Sequence, residues 1–579
     1  MKKLLIILPI LLLFITCNSN KKQNSTTESN DNAIKLYHGG DIITMEGEEP
    51  QYVEAIVTDN DKIAFVGTLK DAESKYPKAS KKNLNGKTMF PAFIDGHSHF
   101  VQNAIMGMLA NIMPPPDGPG TNFDEIVRVI TEWKNSDLGK NFIKHTGWIL
   151  ANGYDDSQLE ERDHPTADVL DKISTEYPVM VIHQSGHITS INHKAMEVLG
   201  LTKDSKDPDG GHRRKGADGE LTGVLEENAS IAAEMQAMGK LSPEFLMDAA
   251  VSNQEKYAQN GYTTIQDGRS SPIELNVLTA LAKQNKYYLD VVAYPDINMT
   301  KVEDFKPYIY PDHAYKNHFR VGGIKLSLDG SPQGKTAWLT KHYHIPPTGK
   351  SRDYKGFPHM SDQEATDLVK LAYKNRWQIL SHTNGDAAAD QYLKAIEAAQ
   401  AEFGYDDPRT VLVHGQIMRK EQVQRAADDG VYITFYPAHT FYWGDWHLES
   451  VLGHPRADYI SPCRDAIDAG INITSHSDAP VVPPNAMRMV DAPVNRVTRS
   501  GYVLGPDQRI TVYEGMQSLT IWAANQYFEE HRKGTLSVGK LADLVILNQN
   551  PFKVDPLKLH TITVSETIKE GKTVYKSSK

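Results

Sequence analysis

Cysteine is almost absent from this chain of 579 residues, which holds only Cys17 and Cys463. A disulfide-stapled scaffold is therefore excluded, and the fold must be held by its core, as a chain of this length can manage. No apolar run approaches the about 20 residues of a membrane-spanning helix. No basic stripe with interleaved aromatics occurs, and Asp and Glu outnumber Lys and Arg by 73 to 62. Nucleic acid is a poor partner for such a chain, because phosphate contacts need clustered cations. With 40% hydrophobic and 23% charged residues, disordered and collagen-like classes are excluded too.

What is present begins with an export pattern. Met1-Lys2-Lys3 gives a positive start, Leu4 to Ile15 is a short apolar run, and Cys17 precedes a polar tract from Asn18 to Asn32. The pattern resembles a bacterial lipoprotein signal in which Cys17 becomes the lipidated first residue, after a signal peptide over 1–16 and before a tether over 17–33. Removing residues 1–16 takes away Lys2 and Lys3 and shifts the formal charge from −11 to −13. No acidic cluster follows Cys17, so the expected location is exported, lipid-anchored at a bacterial membrane and facing the periplasm. With Cys17 lipidated, Cys463 has no intramolecular disulfide partner.

Residues 34–90 alternate short β-type runs with turns, and similar material returns over 536–579, which predicts a small β-sandwich built from both termini. Between them, apolar strands end at "PAFID", "YTTIQD", "YLDVVAYP", "RVGGIKLSLD", "WQILSH", "RTVLVH", "VYITFYP" and "INITSHSD". Helices lie between the later strands: Ser361 and Glu364 have capping-box spacing, and a second helical pattern stops at Gly404. Eight strands with intervening helices predict an α/β fold, a (β/α)8 TIM-like barrel over 91–535. Roughly 160 residues separate the first strand from the second, so 102–250 reads as an insertion over the barrel mouth.

Chemistry-bearing residues gather at the C-terminal strand ends, where barrel enzymes keep their sites. His97 and His99 follow the first strand, and alternation puts both imidazoles on one side, able to grip one ion. His382 and His414 close two later strands, Asp478 follows the last, and Lys325 lies on the fourth. Singly, each has a bland reading: a hydrogen-bonded histidine, or a helix cap for Asp478. Together, in this order at strand ends, they point to a metal centre. "GSPQGKT" at Gly330 to Thr336 imitates a phosphate loop, but three residues separate its glycines where that motif needs four.

The segments "PAFIDGHSH", "GGIKLSLDGS", "ILSHTNGDAAAD", "VLVHGQ", "SHSDAPV" and "GTLSVGKLADLVIL" together resemble the metal-dependent amidohydrolase superfamily over 34–579. "SGHITSINHKAMEVLGL" and "GELTGVLEENA" resemble its family 3, the N-substituted formamide deformylase-like branch, although Ser185 stands where that branch usually carries an acid. The resemblance implies one or two divalent ions, zinc foremost, held by His97, His99, Lys325, His382, His414 and Asp478. Lys325 would bridge two ions as a carbamate, because an ammonium cannot ligate a cation and a carbamate can. The implied reaction is C–N hydrolysis of an amide, N-formyl or N-acyl amine or cyclic amide by a metal-activated water, with Asp478 as proton shuttle.

His187, Glu226, Asp267 and Asp329 are the substrate-pocket candidates; Trp148, Tyr154, Trp443 and Trp446 could form aromatic walls, and His344 and His439 have no assigned role. The expected partner is a small amide-type molecule, with no nucleic acid, membrane contact through the lipid anchor alone, and a homodimer left open. Deamination or ester hydrolysis at the same centre is the nearest alternative, and a non-catalytic solute-binding lipoprotein is the alternative of another class.

Overall fold

The computed structural model describes residues 34–578, apart from 187, 209–210, 240, 348 and 405. The signal and tether expected over 1–33, lipidation at Cys17, and the pocket candidate His187 fall outside the described residues. No helix among the described residues is long and apolar enough to cross a membrane.

Eight parallel strands form where the apolar runs occur: β1 (Phe93–Ile94), β2 (Tyr262–Ser270), β3 (Asp290–Pro295), β4 (Phe319–Val321, resuming as Gly323–Ser327), β5 (Gln378–Thr383), β6 (Val411–His414), β7 (Tyr432–Phe435) and β8 (Thr474–Ser475). Ladders join them in chain order as two arcs, β1 to the first half of β4 and the second half of β4 to β8. The Asp296–Lys325 bridge ties the arcs together. At the far side β1 lies against β8, since a Cβ added at Gly96 would stand 2.9 Å from Thr474 Oγ1 and 3.1 Å from the Ser475 carbonyl. The result is a TIM-barrel-like α/β domain.

The two-residue strand period sorts the side chains. Ile94, Val292, Tyr294, Leu380, Val411 and Val413 pack inward around Ala523, Ala524 and Tyr527. Their sequence neighbours Val291, Ala293, Ile379 and Leu412 pack outward beneath the helices. Ser361 and Glu364 do form a capping box, opening the helix Asp362–Asn375, and Gly404 at φ +76° ends Asp386–Phe403.

Strands from both ends of the chain share one eight-stranded sheet. Leu544 on Thr88's partner strand meets Tyr37, Ile42, Ile56 and Ile568 in one cluster, so the sheet curls around its own core. Its seam with the barrel is ionic: Asp290 accepts hydrogen bonds from Lys533 and Lys569, each at 2.7 Å, and pairs with His318 at 2.7 Å. Between β1 and β2 the chain lays down a separate six-stranded sheet over Ala110–Glu227. Gln184 of that sheet's loop donates to the Val481 carbonyl at 3.0 Å, just past Asp478, which sets the added sheet over the C-terminal strand ends.

Candidate metal centre

Strand alternation brings part of the centre inward directly. Ile324 and Leu326 pack outward, so Lys325 between them points inward; His382 lies two residues past inward-facing Leu380. His414 lies one residue past inward-facing Val413, and alternation alone would turn it out. Its φ of +80° is the left-handed region, and this reversal faces it toward His382, Nε2 to Nδ1 at 2.9 Å. Asp478 likewise sits at φ +53°. Backbone held in this sparsely populated region is a recurrent feature of functional sites.

His97 is fully buried. Its Nδ1 donates to the Gln266 amide oxygen, leaving the Nε2 lone pair facing inward. Gln266 is itself locked, donating to the Gly96 carbonyl at 3.0 Å and to the Tyr527 hydroxyl at 2.5 Å. Gly268 makes room for the ring, because a Cβ there would fall 2.1 Å from His97 Cε1. Asp478 Oδ1 stands 3.5 Å from His97 Nε2 and 3.3 Å from His99 Nε2. Together His97, His99 and Asp478 offer three ligand atoms within 4.8 Å of one another.

Lys325 Nζ reaches His97 Nε2 at 3.1 Å. Burial pulls this amine down to about 7, with Asp478 pulling the other way, so a large neutral fraction exists at neutral pH. Burial likewise holds His97, His382 and His414 well below the ordinary histidine value, as lone-pair donors. Asp478 Oδ1 and His414 Nδ1 are buried with no hydrogen-bond partner among the described residues. Lone pairs of two imidazoles converging on an unpartnered carboxylate oxygen repel one another unless a cation lies between them, so the donor set fits a metal ion.

The pocket candidates divide. Asp329 accepts from the backbone N–H groups of Trp338, Asn384 and Gly385 at 3.0, 2.9 and 2.7 Å, so it anchors loops, and its Oδ1 lies 4.0 Å from His382 Nε2. Asp267 also serves backbone, holding the N–H of Val101 at 2.9 Å and the Ser270 hydroxyl at 2.6 Å, which fixes the turn after His99. Glu226, on the added sheet, pairs with Arg214 at 2.5 Å. Among the aromatics, Trp148, Tyr154 and Trp443 are all buried in core clusters, and Trp443 also packs 4.9 Å from His439 and 6.2 Å from Tyr436. "GSPQGKT" leads into no helix, and its Thr336 hydroxyl is spent on the Ser331 N–H.

Sequence reasoning missed three members. His476 is fully buried, its ring 5.2 Å from that of His97 and 5.1 Å from that of His414. Tyr436 lies 5.4 Å from His476, and Gln266 orients His97. His476 and Tyr436 carried the same strand-end signal as the residues that were chosen. Gln266, inside a strand, carried none.

An inward-facing histidine, lysine and aspartate set at the C-terminal strand ends of a TIM-barrel-like domain defines a metal-dependent hydrolase. The chain belongs to the amidohydrolase family, whose family 3 model matches residues 82–575. The N-substituted formamide deformylase of Arthrobacter pascens is 26% identical over 540 residues, covering 90% of this chain and 94% of that protein. Among solved structures, metal-dependent hydrolases of Pyrococcus horikoshii and Pyrococcus furiosus share the fold at TM-scores of 0.71 and 0.69. Each is 22% identical, covering 94% and 91% of this chain and 100% of theirs.

Proposed function

We propose that this hydrolase cleaves a carbon–nitrogen bond of an amide, an N-formyl or N-acyl amine, or a cyclic amide. The convergence of His97, His99 and the unpartnered Asp478 oxygen carries the reading, and the formamide-cleaving relative supports the bond type. His97, His99, Lys325, His382, His414 and Asp478 would hold one or two divalent ions, zinc foremost for an imidazole-rich set. When bound, such an ion lowers the pKa of water toward neutrality and polarises a carbonyl.

The chain's own residues do the rest. Asp478 takes the proton of the attacking water and hands it to the leaving nitrogen. Lys325, with its pKa drawn down to about 7, supplies the neutral amine whose nitrogen would add to carbon dioxide and release one proton to give a carbamate ligand. Gln266 fixes His97 in the tautomer that ligates, a role whose loss typically weakens metal binding about 10- to 100-fold.

In this reading the barrel is a closed (β/α)8 unit over 91–535 with an insertion over 102–250, the terminal segments 34–90 and 536–579 make one β-sandwich, and Cys17 anchors the chain by lipid to a membrane. A fatty-acid probe fed to cells should label the wild type and not Cys17→Ser. The functional test loads the protein with zinc and screens N-formyl and N-acyl amines for released amine. Turnover lost on chelation and recovered on zinc addition is the expected result. A zinc-replete protein that hydrolyses no amide in the panel refutes the proposed bond.

A further inference from the structure

Arg496 and Arg499 lie three residues apart after the helix Ala486–Asn495, yet they are used in opposite ways. Arg496 is fully buried and spends its donors on backbone, Nε on Leu504, Nη1 on Ser461 and Nη2 on Ile460, at 2.7, 3.1 and 2.8 Å. It is a structural arginine. Arg499 buries Nε and Nη2 as well, but among the described residues neither has a hydrogen-bond partner.

Those two nitrogens are not an arbitrary pair. Nε–H and Nη2–H lie on one edge of the guanidinium and point the same way, the fork that takes both oxygens of a carboxylate. Desolvated donors left unmade are expensive, and an arginine cannot escape by losing its proton. The nearby acids do not fill the fork. Asp117 receives the Tyr442 hydroxyl at 2.5 Å. Asp155 is spent on Trp443 Nε1 at 3.0 Å and on the Ser157 hydroxyl and N–H at 2.6 and 3.0 Å. His183, charged between Asp155 and Asp156, offsets part of their charge.

The position relative to the metal centre is set by Tyr436. Its ring lies 5.4 Å from His476, and its buried hydroxyl has no partner among the described residues. On its other side the Tyr436 ring lies 6.2 Å from Trp443, whose ring is 5.7 Å from that of Tyr442. The Arg499 guanidinium carbon lies 5.1 Å from the Tyr442 ring and 5.8 Å from Phe441. A chain of ring contacts, His476 to Tyr436 to Trp443 to Tyr442 to Arg499, thus joins the metal centre, the unpartnered hydroxyl and the unpartnered fork.

We infer that the substrate is an amide bearing a carboxylate, seated bidentately on the Nε/Nη2 edge of Arg499, with the Tyr436 hydroxyl donating to an oxygen nearer the scissile bond. This deepens the hydrolase reading and rests on it for the reaction, though not for the binding.

Two matched pairs test it on the zinc-loaded protein: N-acetylphenylalanine against N-acetylphenethylamine, and N-benzylsuccinamate against N-benzylbutyramide. The first pair places the carboxylate on the amine side, the second on the acyl side. In one pair the acid should lead in kcat/KM by about 100-fold or more, since a site built to hydrogen-bond a group rejects the analogue lacking it. Arg499→Gln should erase most of that ratio. Arg499→Lys, which keeps the charge and loses the fork, should lower it about 10-fold or more and decides the matter if the Gln variant does not fold.

A ratio unchanged in both variants, or neutral amides favoured in both pairs, overturns the carboxylate assignment and leaves the amidase reading standing. If nothing is hydrolysed, calorimetric titration with N-acetylphenylalanine separates the two ideas. Binding that depends on Arg499 keeps the assignment and sinks the amidase; binding indifferent to Arg499 overturns the assignment.

Discussion

Replacing Asp478 by Asn keeps the size and the left-handed backbone, which Asn tolerates as well as Asp, and removes only the basicity. The Oδ1 of Asp478 accepts no hydrogen bond among the described residues, from backbone or side chain. No cap is therefore lost, and the thermal midpoint should move by less than about 2 °C. Turnover should behave differently. The carboxylates able to substitute are all engaged: Asp95 by Ser98 and the Gln266 N–H, Asp267 by Val101, and Asp329 by three backbone donors. With no stand-in base the loss belongs in the upper part of the usual range, about 10³ to 10⁴ in kcat, or about 4 to 5 kcal/mol of barrier. The assay is kcat per bound zinc, with zinc counted by elemental analysis and the midpoint taken on the same samples. An Asn variant that turns over like the wild type, or one that keeps kcat while losing stability, would refute the proton-carrying role and return Asp478 to a structural one.

Lys325→Ala should lose zinc and activity together, with partial rescue by short carboxylic acids and bicarbonate; full zinc content in the variant would assign the lysine elsewhere. Gly268→Ala must displace His97, whose ring carbon lies 2.1 Å from the new Cβ, and should weaken zinc binding about 10- to 100-fold in competition with a chelator. Asp290→Asn strips the shared anion from buried Lys533 and Lys569 and should cost about 3 to 5 kcal/mol in denaturant titration. His183 gives a pH signature: burial acts downward, but Asp155 and Asp156 lift it to about 9 in the folded state, above the ordinary histidine value. A raised folded pKa stabilises fully below about 6.5 and the contribution fades as pH rises through about 9, so the midpoint advantage of wild type over His183→Gln should shrink across that window.

The eight strands were legible because they are buried on both faces and therefore read as continuous apolar runs, and the centre was legible because its residues end those runs. His414 shows where such reading stops. Its identity and its place at a strand end were plain, but alternation would have turned it outward, and only a backbone angle that no spacing encodes brings it in. Asp267 and Asp329 show another limit: acids beside a strand end look like pocket residues in sequence, and the backbone N–H groups of Val101, Trp338, Asn384 and Gly385 that they accept come from loops folded from distant segments. Arg496 and Arg499 are indistinguishable as letters. What separates them is whether each donor finds a carbonyl, a property of the packed fold alone.

The same accounting decides which acid and histidine groupings can be metal sites. Four sets among the described residues bring three ligand atoms within 4.8 Å: His97, His99 and Asp478; Asp155, Asp156 and His183; Asp168, Asp171 and His193; and Asp290, His318 and Glu570. Proximity therefore does not discriminate. In the second set His183 already lies 3.0 Å from an Asp156 oxygen, and Asp155 is filled by Trp443 and Ser157. In the fourth, Lys533 and Lys569 hold Asp290 at 2.7 Å, so two cations already occupy the position of an ion. In the third, His193 and Asp171 close on each other at 2.7 Å on the surface, where water competes for any ligand. The first set alone joins a buried, neutral imidazole, His97, to a carboxylate oxygen with no partner among the described residues. A metal site is recognised by the valence its donors leave unspent, and by that measure the centre at the strand ends is the one an ion would complete.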